Sequence, residues 1–397
     1  MQDQHFNIGI IGAGVRTIAF CQYAKENSDK VRIRAIADLK IRKAEFLNNY
    51  FNLGAKVVTN FDEFVNDKEI DAIIISTPDY LHVEPAICAL KADKNVYIEK
   101  PLATTLEDCN KIMQASENSA SKCYLGFNMR HSPIHEKIYN LIYKDKKLGK
   151  ITTIEANEWY YGGKTYFRRW NRLQKYGGGL WLTKACHDFD LITWIAGGKP
   201  QNIYAVTSLS LYNPVDDAGP RCRDCSKKNS CPDFYDINKK LDNEFEEIWR
   251  QIQLEMDQTG ELAPDICLYN SDKDTFDNGM AVLSYDNDIR ATYTVNVLAA
   301  KTTRQMRVVG TEGMAEGDME TGIVAFTKRH SGEVIRFDMN QETRGSHGGA
   351  DQKILDDFIN MCKNNTKPRS ELEDGRLAIK MSLAATKSSK NNCIINL

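Results

Sequence analysis

A short apolar run, Phe6–Ile11, ends in Gly12-Ala13-Gly14 and passes directly into a helical pattern from Val15 to about Lys25. No other feature of this chain constrains its fold as much. A strand that turns into a helix through glycine lets an anion approach the backbone. The first helical N–H groups and the positive end of the helix then face it. A second strand, Val31–Ala37, is closed by Asp38, 24 residues beyond Gly14. That is close to where an acidic side chain accepts from the adenosine ribose hydroxyls of a dinucleotide. Thr17 stands where such a loop would place its third glycine, which predicts slightly looser packing of helix on sheet.

Further strands are expected at Val57–Thr59, Ala72–Ser76, Val96–Glu99 and Cys123–Phe127, with helices near 41–51, 82–92 and 105–118. Strict alternation of strand and helix argues for a parallel sheet covered on both faces. The 397 residues suffice for two to three domains, and 42% apolar content allows sizeable cores. With 52 basic against 54 acidic residues the net charge is −2. This excludes a strongly basic nucleic-acid binder and gives no attraction to anionic membrane. No run approaches the ~20 apolar residues that span a bilayer. Met1–His5 lacks a basic segment followed by an apolar one, so a soluble, cytoplasmic protein is expected. Seven cysteines (Cys21, Cys88, Cys109, Cys123, Cys186, Cys362, Cys393) are scattered through strand and helix patterns, as small core residues of a reduced compartment.

Two motifs narrow the reading. Ser76-Thr77-Pro78-Asp79-Tyr80-Leu81-His82 follows the fourth strand, and Tyr97-Ile98-Glu99-Lys100-Pro101-Leu102 follows the fifth. With the glycine loop they resemble the Gfo/Idh/MocA oxidoreductases, the glucose-fructose oxidoreductase and inositol dehydrogenase group. The resemblance continues through Gly126-Phe127-Asn128-Met129-Arg130, Gly177–Gly179 and His187-Asp188-Phe189-Asp190, and so covers essentially the whole chain. It implies a Rossmann NAD(P)-binding domain over 1–126. A substrate-binding α/β domain follows over 127–397, with a large, mostly antiparallel open sheet whose exposed face assists assembly into a homodimer or homotetramer. The helical stretch from about Ala350 is expected to pack back toward the nucleotide domain. Strand-like alternation at 151–161 and 279–309 agrees with this layout, whereas the Lys-, Asn- and Glu-rich segment 227–262 reads as a surface insertion.

By the same resemblance the nucleotide is held by Gly12, Gly14, Val15, Arg16, Asp38, Thr77, Pro78, His82, Glu99, Lys100 and Asn128. Asp38 repels a 2′-phosphate and favours NAD, while Lys40 and Arg42 offer charge that an NADP enzyme would use. Lys100 corresponds to the lysine that hydrogen-bonds the reacting hydroxyl, and His187 to an active-site acid/base. The inositol dehydrogenase pattern has an aspartate four residues before the histidine, where this chain has Thr183; Lys184 follows, one helical turn before His187. Lys100, Lys184 and His187 together predict an unusually cationic pocket, with Lys184 as a third catalytic candidate. Tyr160, Arg169, Trp170 and Asp188 are the expected substrate contacts, in keeping with the ring stacking and forked hydrogen bonds of sugar sites.

Cys222, Cys225 and Cys231 are separated by charged and polar residues, and Cys267 returns before the next strand. Two cysteines with two residues between them form half of a tetrahedral thiolate site, so a structural zinc is expected. Reduced or disulfide-bonded cysteines and an iron–sulfur cluster are the other readings. The resemblance extends to a subset of the family with a similar cysteine run. The function expected is hydride transfer between NAD(P) and a hydroxyl-bearing carbon of a cyclic polyol, sugar or sugar derivative, with no nucleic-acid or membrane partner. Two alternatives are a glycoside-cleaving enzyme that oxidises its substrate transiently, and a nucleotide-binding regulator without catalysis, against which Lys100 and His187 argue.

Overall fold

The computed structural model describes residues 5–255, 263–342 and 346–397. Its first sheet holds β1 (Phe6–Ile11), β2 (Val31–Ala37), β3 (Lys56–Val58), β4 (Ala72–Ile75), β5 (Asn95–Ile98) and β6 (Cys123–Leu125) in the order β3-β2-β1-β4-β5-β6. Every pairing is parallel. The chain therefore winds outward in one direction from β1 and in the other from β4. Doubly wound sheets open a crevice at the carboxyl ends of such a pair, because the following loops diverge. Helices cover both faces, which is why β4 is apolar throughout (Ala-Ile-Ile-Ile) and fully buried.

The second sheet has nine strands, of which β7 (Ile151–Trp159) to β14 (Val334–Asp338) are the longer ones. These include β8 (Pro200–Ser208), β9 (Asn278–Tyr285), β10 (Arg290–Asn296), β11 (Thr303–Gly310), β12 (Gly313–Asp318) and β13 (Ile323–Lys328), and β15 (Ile395–Asn396) closes the edge. Its named pairings are antiparallel except β10 with β7, so the expected two-part architecture is present. Alternation sorts its faces: Ala291, Tyr293 and Val295 of β10 point into the core, while Met280 and Val282 of neighbouring β9 face outward with Val206 and Trp159.

Two C-terminal helices return to the first domain. Helix Ala350–Asn364 places Phe358 against Tyr97 and Tyr124 beneath β5 and β6, and helix Leu372–Asn391 spans both cores. The 227–262 segment is more than the surface insertion its composition suggested, although residues 256–262 lie outside the described residues. Helix Glu244–Leu254, capped by Asn243, buries Ile248 and Ile252 in the core of the first domain, beside Phe46 and Tyr50. Two apolar residues at helical spacing suffice for that docking and are hidden among many charges. No helix among the described residues is long and apolar enough to cross a membrane.

Arg130, just after β6, fastens these parts together. Its Nε and Nη2 donate to Asp190 at 2.9 and 2.5 Å, Nη1 donates to the Arg369 carbonyl at 2.8 Å, and Asp374 lies 3.1 Å from Nη2. Arg130→Met should cost about 3–5 kcal/mol at pH 8, because Asp190 is then buried without its partner. Burial already pushes the Asp190 carboxyl up to about 6 against the pull of Arg130. The folded variant therefore holds a proton that the unfolded chain releases, and its deficit should narrow as pH falls toward about 5. Urea unfolding at both pH values checks this; a deficit independent of pH would count against it.

Candidate active site

The site is built where β1 and β4 part. Gly12 adopts φ +101°, and a Cβ there would lie 2.5 Å from the Thr77 nitrogen and 2.6 Å from the Ser76 carbonyl carbon. Only glycine fits. At Gly14 a Cβ would meet nothing nearer than the Ser76 oxygen at 3.6 Å, so its missing side chain leaves room in the cavity. Helix Thr17–Glu26 starts without a side-chain cap, as an anion-binding helix end requires. Thr17 does not loosen the packing, contrary to expectation. It is fully buried, and its hydroxyl and that of Ser76 donate to the Gly12 carbonyl at 2.7 and 2.9 Å, pinning the helix to both strand ends.

A cavity of about 310 Å³ opens from this loop toward the second domain. Of the expected nucleotide residues, Gly14, Val15, Arg16, Asp38, Thr77, Pro78, Glu99, Lys100 and Asn128 line it. Gly12 lies behind the loop, and His82 behind Thr77, its ring nitrogens 2.8 Å from the Pro101 carbonyl and 3.1 Å from that of Thr77. His82 thus braces the two loops. Among the described residues, five buried polar atoms on the wall have no hydrogen-bond partner: Arg16 Nη2, Thr77 Oγ1, Asn128 Oδ1, Asn171 Oδ1 and His187 Nδ1. Unpartnered buried groups are costly, and their convergence on one cavity marks a place for a polar ligand.

Asp38 Oδ2 accepts from the Ala13 N–H at 2.7 Å and from Lys43 Nζ at 2.9 Å. Lys43, buried and on the cavity wall, is the cation that sequence reasoning missed; Lys40 and Arg42 are exposed and outside the cavity. Glu99 accepts from Arg16 at 2.6 Å, and Arg16 also donates to Asp351 at 2.7 Å. Asp351 accepts from Asn128 as well, so helix Ala350–Asn364 completes the nucleotide side.

At the other end Lys100 Nζ crosses from the first domain to donate to the Thr183 carbonyl at 2.9 Å. Burial opposes its charge, but the acidic groups around it, Cys186, Tyr166 and Asp79, hold its pKa above the ordinary lysine value. His187 also lines the cavity; burial, then the nearby positive charges, Lys100 first and Arg304 next, hold its imidazole well below its usual range, so it is neutral. Lys184 does not reach the cavity. It pairs with Glu158 at 2.8 Å, over the Tyr160 ring. Glu158 also pairs with Arg304 at 2.6 Å, and Arg304 donates twice to Asp188 at 2.9 Å, which accepts from Tyr293 at 2.7 Å. Asp188 and Tyr160 are therefore supports beneath the site, not contacts in it. The pocket is also less cationic than expected, because the Lys184 charge is spent on a carboxylate.

Arg169 and Trp170, two of the residues singled out for the substrate, line the cavity with Tyr166. Arg169 is flanked by the rings of Tyr166 and Trp249, each 5.4 Å from its guanidinium carbon. Its neighbours turn away: Arg168 donates to the Cys222 sulfur at 3.2 Å and Arg172 to Asp272 at 2.8 Å. Phe245, Ile252 and Gln253 of the insertion helix close the wall, a contribution the sequence did not reveal.

Cys222, Cys225, Cys231 and Cys267 line one separate cavity under the insertion, and all are free thiols. The expected zinc is not supported: among the described residues no three His, Cys, Asp or Glu side chains group to hold a metal ion. Three of the sulfurs instead accept N–H donors, from Arg168, from the Gly219 amide at 3.3 Å and from the Asn270 amide at 3.5 Å.

Residues 6–127 match the NAD-binding Rossmann-fold model of the Gfo/Idh/MocA oxidoreductase family, and residues 143–397 match its C-terminal α/β domain model. The chain belongs to this family and is an NAD-binding oxidoreductase. Among its relatives, the oxidoreductase YteT of Bacillus subtilis (strain 168) is 29% identical over 325 residues, 75% of this chain and 74% of YteT. An inositol 2-dehydrogenase of Salmonella typhimurium is 27% identical over 135 residues, 34% of this chain and 40% of that protein. The fold matches a levoglucosan dehydrogenase complex with NADH and levoglucosan at a TM-score of 0.75, with 16% identity over 99% of both chains.

Lys184→Met should destabilise the fold by about 3–5 kcal/mol, since it breaks a buried ion pair. Affinity for NAD should stay within a few-fold, because Lys184 lies off the cavity wall. Thermal unfolding and calorimetric titration separate the two; a stable variant that loses NAD would refute the assignment.

Proposed function

We propose that this oxidoreductase withdraws a hydride from a hydroxyl-bearing carbon of a cyclic polyol or sugar. The observation that carries the reading is the meeting of Lys100 and neutral His187 with the unpartnered wall atoms in one cavity, at the β1–β4 crevice. The names of the inositol and levoglucosan relatives support the substrate class. The uncapped helix after Gly14 suits a pyrophosphate, Asp38 suits ribose hydroxyls, and Asn128 and Thr77 offer polar atoms to the rest of the nucleotide. Bound there, NAD supplies the hydride acceptor. Lys100 then donates to the reacting oxygen and stabilises the negative charge that grows on it, while Trp170 and Tyr166 offer ring faces to the sugar. The outward face of the second sheet, with Met280 at 57% and Val282 at 52% exposure, suits pairing with a second copy.

A panel of myo-inositol, levoglucosan and D-glucose with NAD, followed at the nicotinamide absorbance band, tests the reading. Turnover is expected with at least one. Lys100→Met should then lower kcat about 10²–10³-fold with little change in NAD affinity. Cofactor binding without turnover would overturn the proposal, and glycosidic cleavage without net NADH would favour transient oxidation instead.

NAD should bind more tightly than NADP, since the Asp38 carboxylate meets the 2′-phosphate. Asp38→Ser should narrow the preference, because it leaves Lys43 without its carboxylate partner. Calorimetry with both nucleotides checks this; an unchanged ratio in the variant would show that Asp38 does not read the ribose.

A further inference from the structure

Among the described residues three carboxylates line the cavity, and two of them are committed: Asp38 to Lys43 and Glu99 to Arg16. The third, Asp79, follows β4. It is buried, and no ion pair holds it among the described residues. Its Oδ2 accepts from Thr183 Oγ1 at 2.9 Å, and the same oxygen of Thr183 accepts from Asn171 Nδ2 at 3.0 Å. The Thr183 carbonyl receives Lys100 Nζ. Thr183 therefore gathers a carboxylate and an ammonium group from the first domain around one point of the second.

We propose that Asp79 is the base of this enzyme, taking the proton of the reacting hydroxyl from the nucleotide-domain wall of the cavity. The assignment rests on the dehydrogenase reading above. The substrate O–H bond breaks with its proton passing to an Asp79 oxygen. The carbinol C–H bond breaks as hydride to the nicotinamide, taking both electrons, and a carbonyl remains. Lys100 keeps its proton and steadies the oxygen throughout; Asp79 later releases its proton to water.

The proton inventory of the cavity agrees. Lys100 is held cationic and so has no place for the proton, and burial, followed by the surrounding cations, holds the His187 imidazole well below its usual range and makes it the weaker acceptor. Asp79 is pushed up to about 7 by burial, with Lys100 and the Thr183 hydroxyl pulling against it and Glu99 adding to it. From the opposing helix it faces the Cys186 thiol, itself pushed up to about 12 by burial and so uncharged. The carboxylate form grows as pH rises through about 7, and oxidation should grow with it.

The test is a pH profile of kcat, with the best substrate of the panel, for the parent enzyme, Asp79→Asn and Thr183→Val. Asparagine keeps the size of the side chain and removes the base. The parent should show an acid limb near pH 7. Asp79→Asn should lose the limb and about 10²–10³-fold in kcat, with KM changed far less. Thr183→Val should move the limb to higher pH, since the carboxylate loses a donor; a purely structural role predicts no such movement. Infrared difference spectra of the nucleotide-free protein between about pH 5 and about pH 9 supply a readout independent of turnover. A carboxyl C=O band should titrate near 7 in the parent and be missing in Asp79→Asn. A retained limb and rate in Asp79→Asn, an unmoved limb in Thr183→Val, or no such band would each overturn the assignment. A parent enzyme that turns over none of the panel would instead bring down the dehydrogenase reading, and this role with it. If Asp79→Asn does not fold, the Thr183→Val profile and the parent spectrum decide.

Discussion

Arg304 holds its charge between Asp188 and Glu158 where almost no solvent reaches, and Lys184 closes the set from the other side of Glu158. Taking four charges out of water costs several kcal/mol for each. The cost is offset only because every charge finds an opposite partner at hydrogen-bonding distance. The site depends on this network. It fixes β11 to β7 and to the helix carrying His187, and it consumes charges that would otherwise crowd the cavity. Lys100 stays on the cavity wall, and burial, followed by the surrounding positive charges, holds the imidazole of His187 well below its usual range.

The chemistry is assembled from both domains at one crevice. The turn after β1 supplies the glycine loop, the segment after β4 supplies Thr77 and Asp79, and the segment after β5 supplies Glu99 and Lys100; the second domain contributes Thr183, His187 and the Tyr166–Asn171 segment. Contacts such as Lys100 to Thr183 and Arg16 to Asp351 are hydrogen bonds across the junction. Relative placement of the domains therefore sets the distance between a carboxylate, an ammonium group and an imidazole. A shift of about 1 Å there is the kind that costs a rate its preorganised geometry. The insertion helix adds a wall to the same space, docking through Ile248 and Ile252 on one domain while Trp249 touches Arg169 of the other.

The first domain was legible because its constraints are local. A strand, a glycine that must take positive φ, an uncapped helix and an acid at the next strand end are all set by backbone sterics and a fixed spacing. The Ser76–His82 and Glu99–Leu102 motifs sit directly on strand ends, so their placement at the cavity followed from the order of the strands. Other readings failed where a side chain's partner lies far away in sequence. Lys184 looked like a free cation because Glu158 and Arg304 are distant. Asp188 looked like a substrate contact for the same reason. The cysteine spacing suggested a metal, yet whether sulfurs converge on a point or accept amides depends on how several turns stack.

What the sequence determined by itself is therefore the doubly wound nucleotide fold, its glycine cradle and the singling out of Lys100 and His187, which both line the cavity. These follow from short-range periodicity, chain stiffness and glycine stereochemistry, which act within a few residues. Only the tertiary structure decided which charges are free to act. Asp79 reads as one more acid of a loop motif; burial, with no ion pair among the described residues, pushes it up to about 7 against the pull of Lys100 and of the Thr183 hydroxyl, 104 positions further on. Electrostatic free energy in a buried site depends on everything within several ångströms, and that neighbourhood does not exist until the two domains have packed.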